Sequence, residues 1–269
     1  MDEEYGTVVS VVVGGATRSI DTNSLPDHAT GAFPNDGNPN TISAQTLSYE
    51  FPTEPTFTGD ATFARAPGIA VNGVPFEPGT GESVSCESGE NFRIEALPEF
   101  FNLGLDFNNA HVQPTGKYHY HGVSQMLVDA YAADEDLVHV GFAADGFLMY
   151  YSKSGDYRPS YVLSATARSG SNCTPSGPDN TSFDLAGTSP DGTYTSDWQY
   201  SEGIGDLDEC NGTTIDGQYV YVVTGGYPYI SRCLNGEFTD LGPDGGGPPP
   251  GGGPPPGGGP PPGGGPPPG

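Results

Sequence analysis

The chain has 269 residues, room for one large domain or two small ones at ~100–200 residues each. It carries 34 acidic against 8 basic side chains, a formal charge of −26. Such a surface repels phosphate backbones and anionic headgroups, so nucleic acid is not expected as a partner, and no apolar run approaches the ~18 residues of a membrane-spanning helix.

Residues 1–22 read as an N-terminal strand region. Met1-Asp2-Glu3-Glu4 lacks the basic start and apolar stretch of a signal peptide, so the expectation is a chain that begins after a removed or missing leader. The β-branched run at residues 7–13 predicts a strand. Residues 23–243 read as one mainly β domain that opens on irregular loop, rich in Pro, Asn, Gly and Asp, over residues 23–47. Short apolar and aromatic stretches then alternate with the turn signals Asn72-Gly73, Asp145-Gly146, Asp191-Gly192, Asp216-Gly217 and Asn235-Gly236. Such spacing predicts an antiparallel sandwich or barrel-like sheets with at most one or two short helices. One helix is expected after Ser124 as its cap, with Met126, Leu127, Ala130 and Tyr131 in one apolar stripe, followed by an Asp134-Glu135-Asp136 loop. Residues 244–269 repeat Gly-Gly-Gly-Pro-Pro-Pro. Collagen needs Gly at every third position, so this is no collagen; it reads as a disordered linker or stalk leading to the cell surface or to a further domain.

The four cysteines are Cys86, Cys173, Cys210 and Cys233, none in a C-x-x-C pair. An even count without that pair suggests disulfides and hence an exported protein, secreted or at the cell surface, periplasmic if bacterial. Of the three possible pairings, Cys210 with Cys233 and Cys86 with Cys173 is preferred, because the first pair flanks strands expected to be neighbours. Glycosylation sequons occur at Asn172, Asn180 and Asn211.

The richest chemistry lies between Asn109 and Gly122, which holds three of the five histidines. On a strand His119 and His121 share one face, and Tyr118 and Tyr120 share the other. Pro114-Thr115-Gly116 suits a three-residue hairpin loop. That loop pairs Gln113 with Lys117, Val112 with Tyr118, His111 with His119 and Asn109 with His121, which puts His111 on the histidine face. A two-residue loop would reverse its facing. Three imidazoles on adjacent strands match an open three-histidine site for Zn²⁺, or for Cu²⁺, with Asn109, Gln113 or Asp106 available to orient the rings. The competing reading makes the histidines packing and hydrogen-bonding groups. For the single residues His28 and His139 the structural role is preferred.

Tyr118-His119-Tyr120-His121-Gly122, preceded by Asn108-Asn109-Ala110-His111-Val112-Gln113-Pro114-Thr115-Gly116, resembles the motif that names the YHYH proteins. Further similar stretches are Val71-Asn72-Gly73-Val74-Pro75-Phe76-Glu77-Pro78-Gly79, Gly141-Phe142-Ala143-Ala144-Asp145-Gly146-Phe147, Asp206-Leu207-Asp208-Glu209-Cys210-Asn211-Gly212 and Tyr227-Pro228-Tyr229-Ile230-Ser231-Arg232-Cys233-Leu234-Asn235-Gly236. The resemblance spans about residues 23–238. It implies a secreted or periplasmic β-rich domain and no established activity. Many members carry a second Tyr-His-Tyr-His before the Tyr-Pro-Tyr stretch; here that place reads Tyr219-Val220-Tyr221-Val222.

Asp206-Leu207-Asp208-Glu209-Cys210-Asn211 fails as an EF-hand, because Cys and Asn stand where an oxygen ligand and Gly are needed. Asp145 reads as a turn residue unless it faces the histidines. No nucleophile elbow, H-E-x-x-H, Walker or dinucleotide motif is present, so no catalytic residues are assigned. Two functions stay open: an extracellular metalloprotein, or a cell-surface or matrix interaction module with structural histidines and no metal. A converged histidine face opening on a pocket separates the first from the second.

Overall fold

The computed structural model describes residues 5–97, 99–132, 134–177, 181–239 and 241, so the tail expected over residues 244–269 lies outside the described residues. The chain is mainly β. The valine-rich run forms β1 (Val9–Gly14), which pairs antiparallel with β2 (Thr17–Thr22), and β3 (Leu47–Pro52) pairs on the other side of β2. β2 is not legible in the sequence, because Ile20 is its only large apolar residue. β3 alternates as a half-buried strand should: Tyr49 and Phe51 are buried while Ser48 and Glu50 face out.

Next come β4 (Phe57–Phe63), β5 (Gly68–Ala70), β6 (Pro75–Phe76), β7 (Ser83–Cys86) and β8 (Asn91–Arg93). β9 (Ala110–Val112) and β10 (Tyr118–Tyr120) precede the helix α1 (Gln125–Tyr131). After it run β11 (Leu137–Ala143), β12 (Leu148–Ser152), β13 (Tyr161–Leu163) and β14 (Cys173–Pro175). β15 (Trp198–Tyr200), β16 (Gly212–Ile215), β17 (Gln218–Val223) and β18 (Cys233–Gly236) complete the strands.

Eight strands form the central sheet in the order β16-β17-β12-β11-β5-β6-β10-β9. Its pairings are antiparallel except β6–β10 and β12–β17, which are parallel. The sheets remain open. In β17 Val220, Tyr221, Val222 and Val223 are all buried, as expected of a strand covered on both faces. Ile69, Phe76, Tyr118, Tyr120 and Met149 join Tyr221 in the main core. Burying an aliphatic or Phe side chain of this kind contributes about 1.5–3 kcal/mol. The hairpin β9–β10 sits at one end of this sheet, held on its inner side by β6.

Ser124 caps α1 as expected, its hydroxyl accepting from the amide of Leu127 at 3.1 Å. The apolar stripe differs. Leu127 and Val128 are buried, whereas Met126, Ala130 and Tyr131 are exposed. A helix of seven residues is too short to bury a full stripe. Asn235-Gly236 is not a turn but the end of β18, where a side chain at 236 would meet the Asp145 Cβ at 2.9 Å. The other four dipeptide signals carry a glycine with positive φ, as turns require.

Both expected disulfides form, Cys86–Cys173 and Cys210–Cys233. The first joins register partners on β7 and β14 and lies in a second core with Val84, Phe92 and Tyr194. Its 87-residue separation exceeds the 23 residues of the other, so it restricts the unfolded chain more. Replacing Cys86 and Cys173 by Ala is expected to cost about 2–4 kcal/mol, and more than the same change at Cys210 and Cys233. Urea unfolding of the two double variants checks the order; a reversed order would refute the loop-length argument.

Two of the three sequons can be placed. Asn172 is exposed, but Asn211 is fully buried and its amide donates to the Val222 carbonyl and to Thr224 Oγ1. A glycan on Asn211 is therefore incompatible with the fold. Asn180 lies outside the described residues. No described helix is long and apolar enough to cross a membrane.

Candidate metal centre

The Pro114-Thr115-Gly116 loop sets the site. The amide of Gly116 donates to the Gln113 carbonyl at 2.8 Å, and Gly116 adopts φ +86, open to a residue without a Cβ. The three-residue loop gives the register Val112 with Tyr118, His111 with His119 and Ala110 with Tyr120. The Gln113 amide reaches the Lys117 carbonyl, and the His121 amide reaches the Asn109 carbonyl. Side chains alternate along each strand, so His111, His119 and His121 share a face and both tyrosines take the other.

The three rings converge, with centroids 4.6–4.7 Å apart in every pair. One ligand nitrogen from each lies within 4.8 Å of the others. Nε2 of His111 and Nε2 of His121 are 3.0 Å apart. Two Zn–N bonds of ~2.05 Å at a tetrahedral angle set their nitrogens ~3.3 Å apart, so an ion between these two rings needs only ~0.3 Å of movement.

Main-chain carbonyls fix the tautomers. His111 Nδ1 donates to the Leu103 carbonyl at 2.8 Å, and His119 Nδ1 faces the Lys117 carbonyl at 3.4 Å. A carbonyl only accepts, so these protons sit on Nδ1 and each Nε2 keeps a lone pair for a ligand. With His111 protonated on Nδ1, the hydrogen bond between the two Nε2 atoms is donated by His121, whose buried Nδ1 has no partner; an ion bound there would replace that proton.

Burial holds all three imidazoles neutral. His119 is pushed well below the usual histidine range by desolvation, then by His121, His111 and Lys117. Desolvation does the same to His121, with His111 adding to it, and lowers His111, where the Leu103 carbonyl works against the shift. Neutral imidazole is the form that ligates.

The groups expected to orient the rings are committed elsewhere. Asn109 Nδ2 donates to the Val123 carbonyl, and Gln113 Nε2 donates to Glu77. Asp106 lies on the tyrosine side, where it accepts from the Tyr118 hydroxyl at 2.8 Å. There Tyr120 donates to His28 Nε2 and accepts from Asn72, so His28 braces the back of the strand. His139 donates to the Gly141 carbonyl on β11, away from the cluster.

The histidines line a cavity of about 970 Å³. Two of the similar stretches noted in the sequence meet there, through Glu77, Pro78 and Gly79 from one and Tyr227 and Arg232 from the other. Arg65, Arg93 and Trp198 also reach it, and sequence reading missed them. The only signal available was the scarcity of basic residues.

Other candidates resolve as structure. The Asp145 carboxylate accepts from the Tyr221 hydroxyl at 2.6 Å and the Gly236 amide at 3.0 Å, away from the cavity, and burial pushes it up to about 6. Asp208 caps the Cys210 and Gly212 amides and accepts from Tyr219, which leaves no open calcium loop. Val220 and Val222 pack with Leu207 in a small core of their own.

A family model described as YHYH protein matches residues 48–236, well over half of the chain. No curated protein and no solved structure matches it significantly.

Proposed function

The chain belongs to the YHYH family, and on that footing we propose that it binds one Zn²⁺ or Cu²⁺ ion through His111, His119 and His121 and works outside the reducing cytosol. One observation carries the metal reading: three neutral imidazoles, two buried and His111 half-buried, converge on the wall of a cavity. Ligand type and number suit an open site, with three protein ligands and a fourth position reached from the cavity. Affinity for Cu²⁺ exceeds that for Zn²⁺ at such a donor set, so availability decides which ion is held. The two disulfides support export, because such bonds persist in oxidising compartments.

Metal analysis of protein purified without chelator or a histidine tag tests this. About one ion per chain is expected in the wild type and none in His119→Ala, while His139→Asn keeps its metal. A wild-type chain that stays empty after exposure to both ions refutes the proposal. The cluster would then be a hydrogen-bonded brace, and the protein an interaction module.

A further inference from the structure

The charge on the cavity wall runs against the rest of the chain. Acidic residues outnumber basic ones 34 to 8 overall, yet among the described residues only Glu77 and Glu82 carry acid to the wall, against Arg65, Arg93 and Arg232. Glu77 is neutralised by Lys117 Nζ at 2.6 Å, and Arg232 by Glu95 at 2.6 Å. That leaves two guanidinium groups against Glu82. Among the described residues no carboxylate forms an ion pair with either: Arg93 donates to the Thr80 and Gly81 carbonyls, and Arg65 is exposed, makes no hydrogen bond and feels Glu77, already paired with Lys117, only through space. Neutral imidazoles add no charge, so a bound divalent ion would raise the local positive excess further. A cleft with one sign of charge concentrates ligands of the other.

The same wall carries an aromatic step. Trp198 and Tyr227 stack with ring centroids 4.5 Å apart and planes at 3°, and the Arg232 guanidinium lies 5.2 Å over the Tyr227 ring. Cavities that hold small molecules combine such apolar walls with a few directing polar groups, and a guanidinium fork matches a carboxylate.

We infer that this cavity takes a small organic anion, its carboxylate held by Arg65 and Arg93 and its body against Trp198 and Tyr227. The inference rests on the metal reading only for the ion's added charge.

Benzoate and its neutral analogue benzamide are the probes, titrated calorimetrically into zinc-loaded and EDTA-stripped protein. Benzoate is expected to bind at least tenfold tighter than benzamide in the loaded protein, and to keep a smaller preference in the stripped one. Arg65→Met with Arg93→Met should remove at least tenfold of the benzoate affinity and leave benzamide binding and zinc content unchanged. Arg65→Met alone, which breaks no hydrogen bond, should lose part of the affinity at an unchanged melting temperature. Equal binding of the two probes overturns the inference, as does benzoate binding that ignores both arginines. If the chain takes up no zinc, the metal reading falls, and the stripped protein alone decides: an arginine-dependent preference for benzoate upholds the anion site and its absence overturns it.

Discussion

Acidifying the metal-free protein from pH 7 to 5.5 is expected to remove several kcal/mol of stability. His119 and His121 are buried and held neutral well below the usual range, and His111 is lowered by the same desolvation. In the unfolded chain each titrates near ~6.5. Below that pH the unfolded chain binds protons that the folded one refuses, so stability falls with pH, by about 1.4 kcal/mol per pH unit for each histidine still neutral in the fold. Asp145 opposes this. Burial raises it to about 6, so the folded chain takes up its proton before the unfolded one does. Glu77, raised by burial, opposes it as well, while His139, lowered by burial, adds to the loss, so the slope stays below the four-histidine limit of about 5.4 kcal/mol per pH unit. Urea unfolding in EDTA at pH 7.0, 6.0 and 5.5 reads this directly. His121→Asn should flatten the slope by one proton's share. A wild-type stability unchanged between pH 7 and 5.5 would mean that the imidazoles are not held neutral.

Lys117→Met is expected to cost about 3–5 kcal/mol at pH 7, the usual penalty for orphaning one partner of a buried ion pair. The Lys117 side chain is 1 % exposed and that of Glu77 8 %. Burial raises Glu77, and Lys117 pulls it back down. Without the lysine, the carboxylate keeps, among the described residues, the Gln113 amide as its hydrogen-bond partner and Arg65 at longer range. Glu77→Gln should be comparably harmful, because it strands the ammonium. The double variant should recover much of the loss, with a coupling of about 2 kcal/mol or more in a double-mutant cycle. Acidification should narrow the gap between Lys117→Met and wild type, since a protonated Glu77 needs no partner. A loss below 1 kcal/mol in the single variant would show that the pair does not hold the hairpin to β6.

The sequence carried the local parts of this site and not the distant ones. Loop parity at Pro114-Thr115-Gly116 determines which way His111 faces, and it is readable because a strand has period two. The Ser124 cap and the Cys210–Cys233 pair were legible for similarly local reasons, a side chain followed by its helix and cysteines flanking neighbouring strands, and Cys86 with Cys173 followed as the remaining pair. The cavity was not. Its wall joins Arg65, Arg93, Trp198 and Arg232 from four separate stretches, and no periodicity records that meeting. The parallel pairings β6–β10 and β12–β17 escaped for the same reason, since they join strands that do not follow each other in the chain. The polar side chains at 109, 113 and 106 looked like the natural ring partners, but main-chain carbonyls do that work and leave no signature in composition.

Those carbonyls make the centre robust to mutational drift. Every residue type brings a carbonyl, so a replacement at position 103 still offers the acceptor that His111 uses, and one at 117 still offers that of His119 wherever the backbone keeps its path, although the lysine side chain itself is held by its pair with Glu77. Side chains outside such pairs are free to diverge, and the rings keep their aim. Lineages sharing this hairpin could therefore exchange the cavity wall, and with it the molecule admitted, while the three imidazoles go on pointing at the same spot.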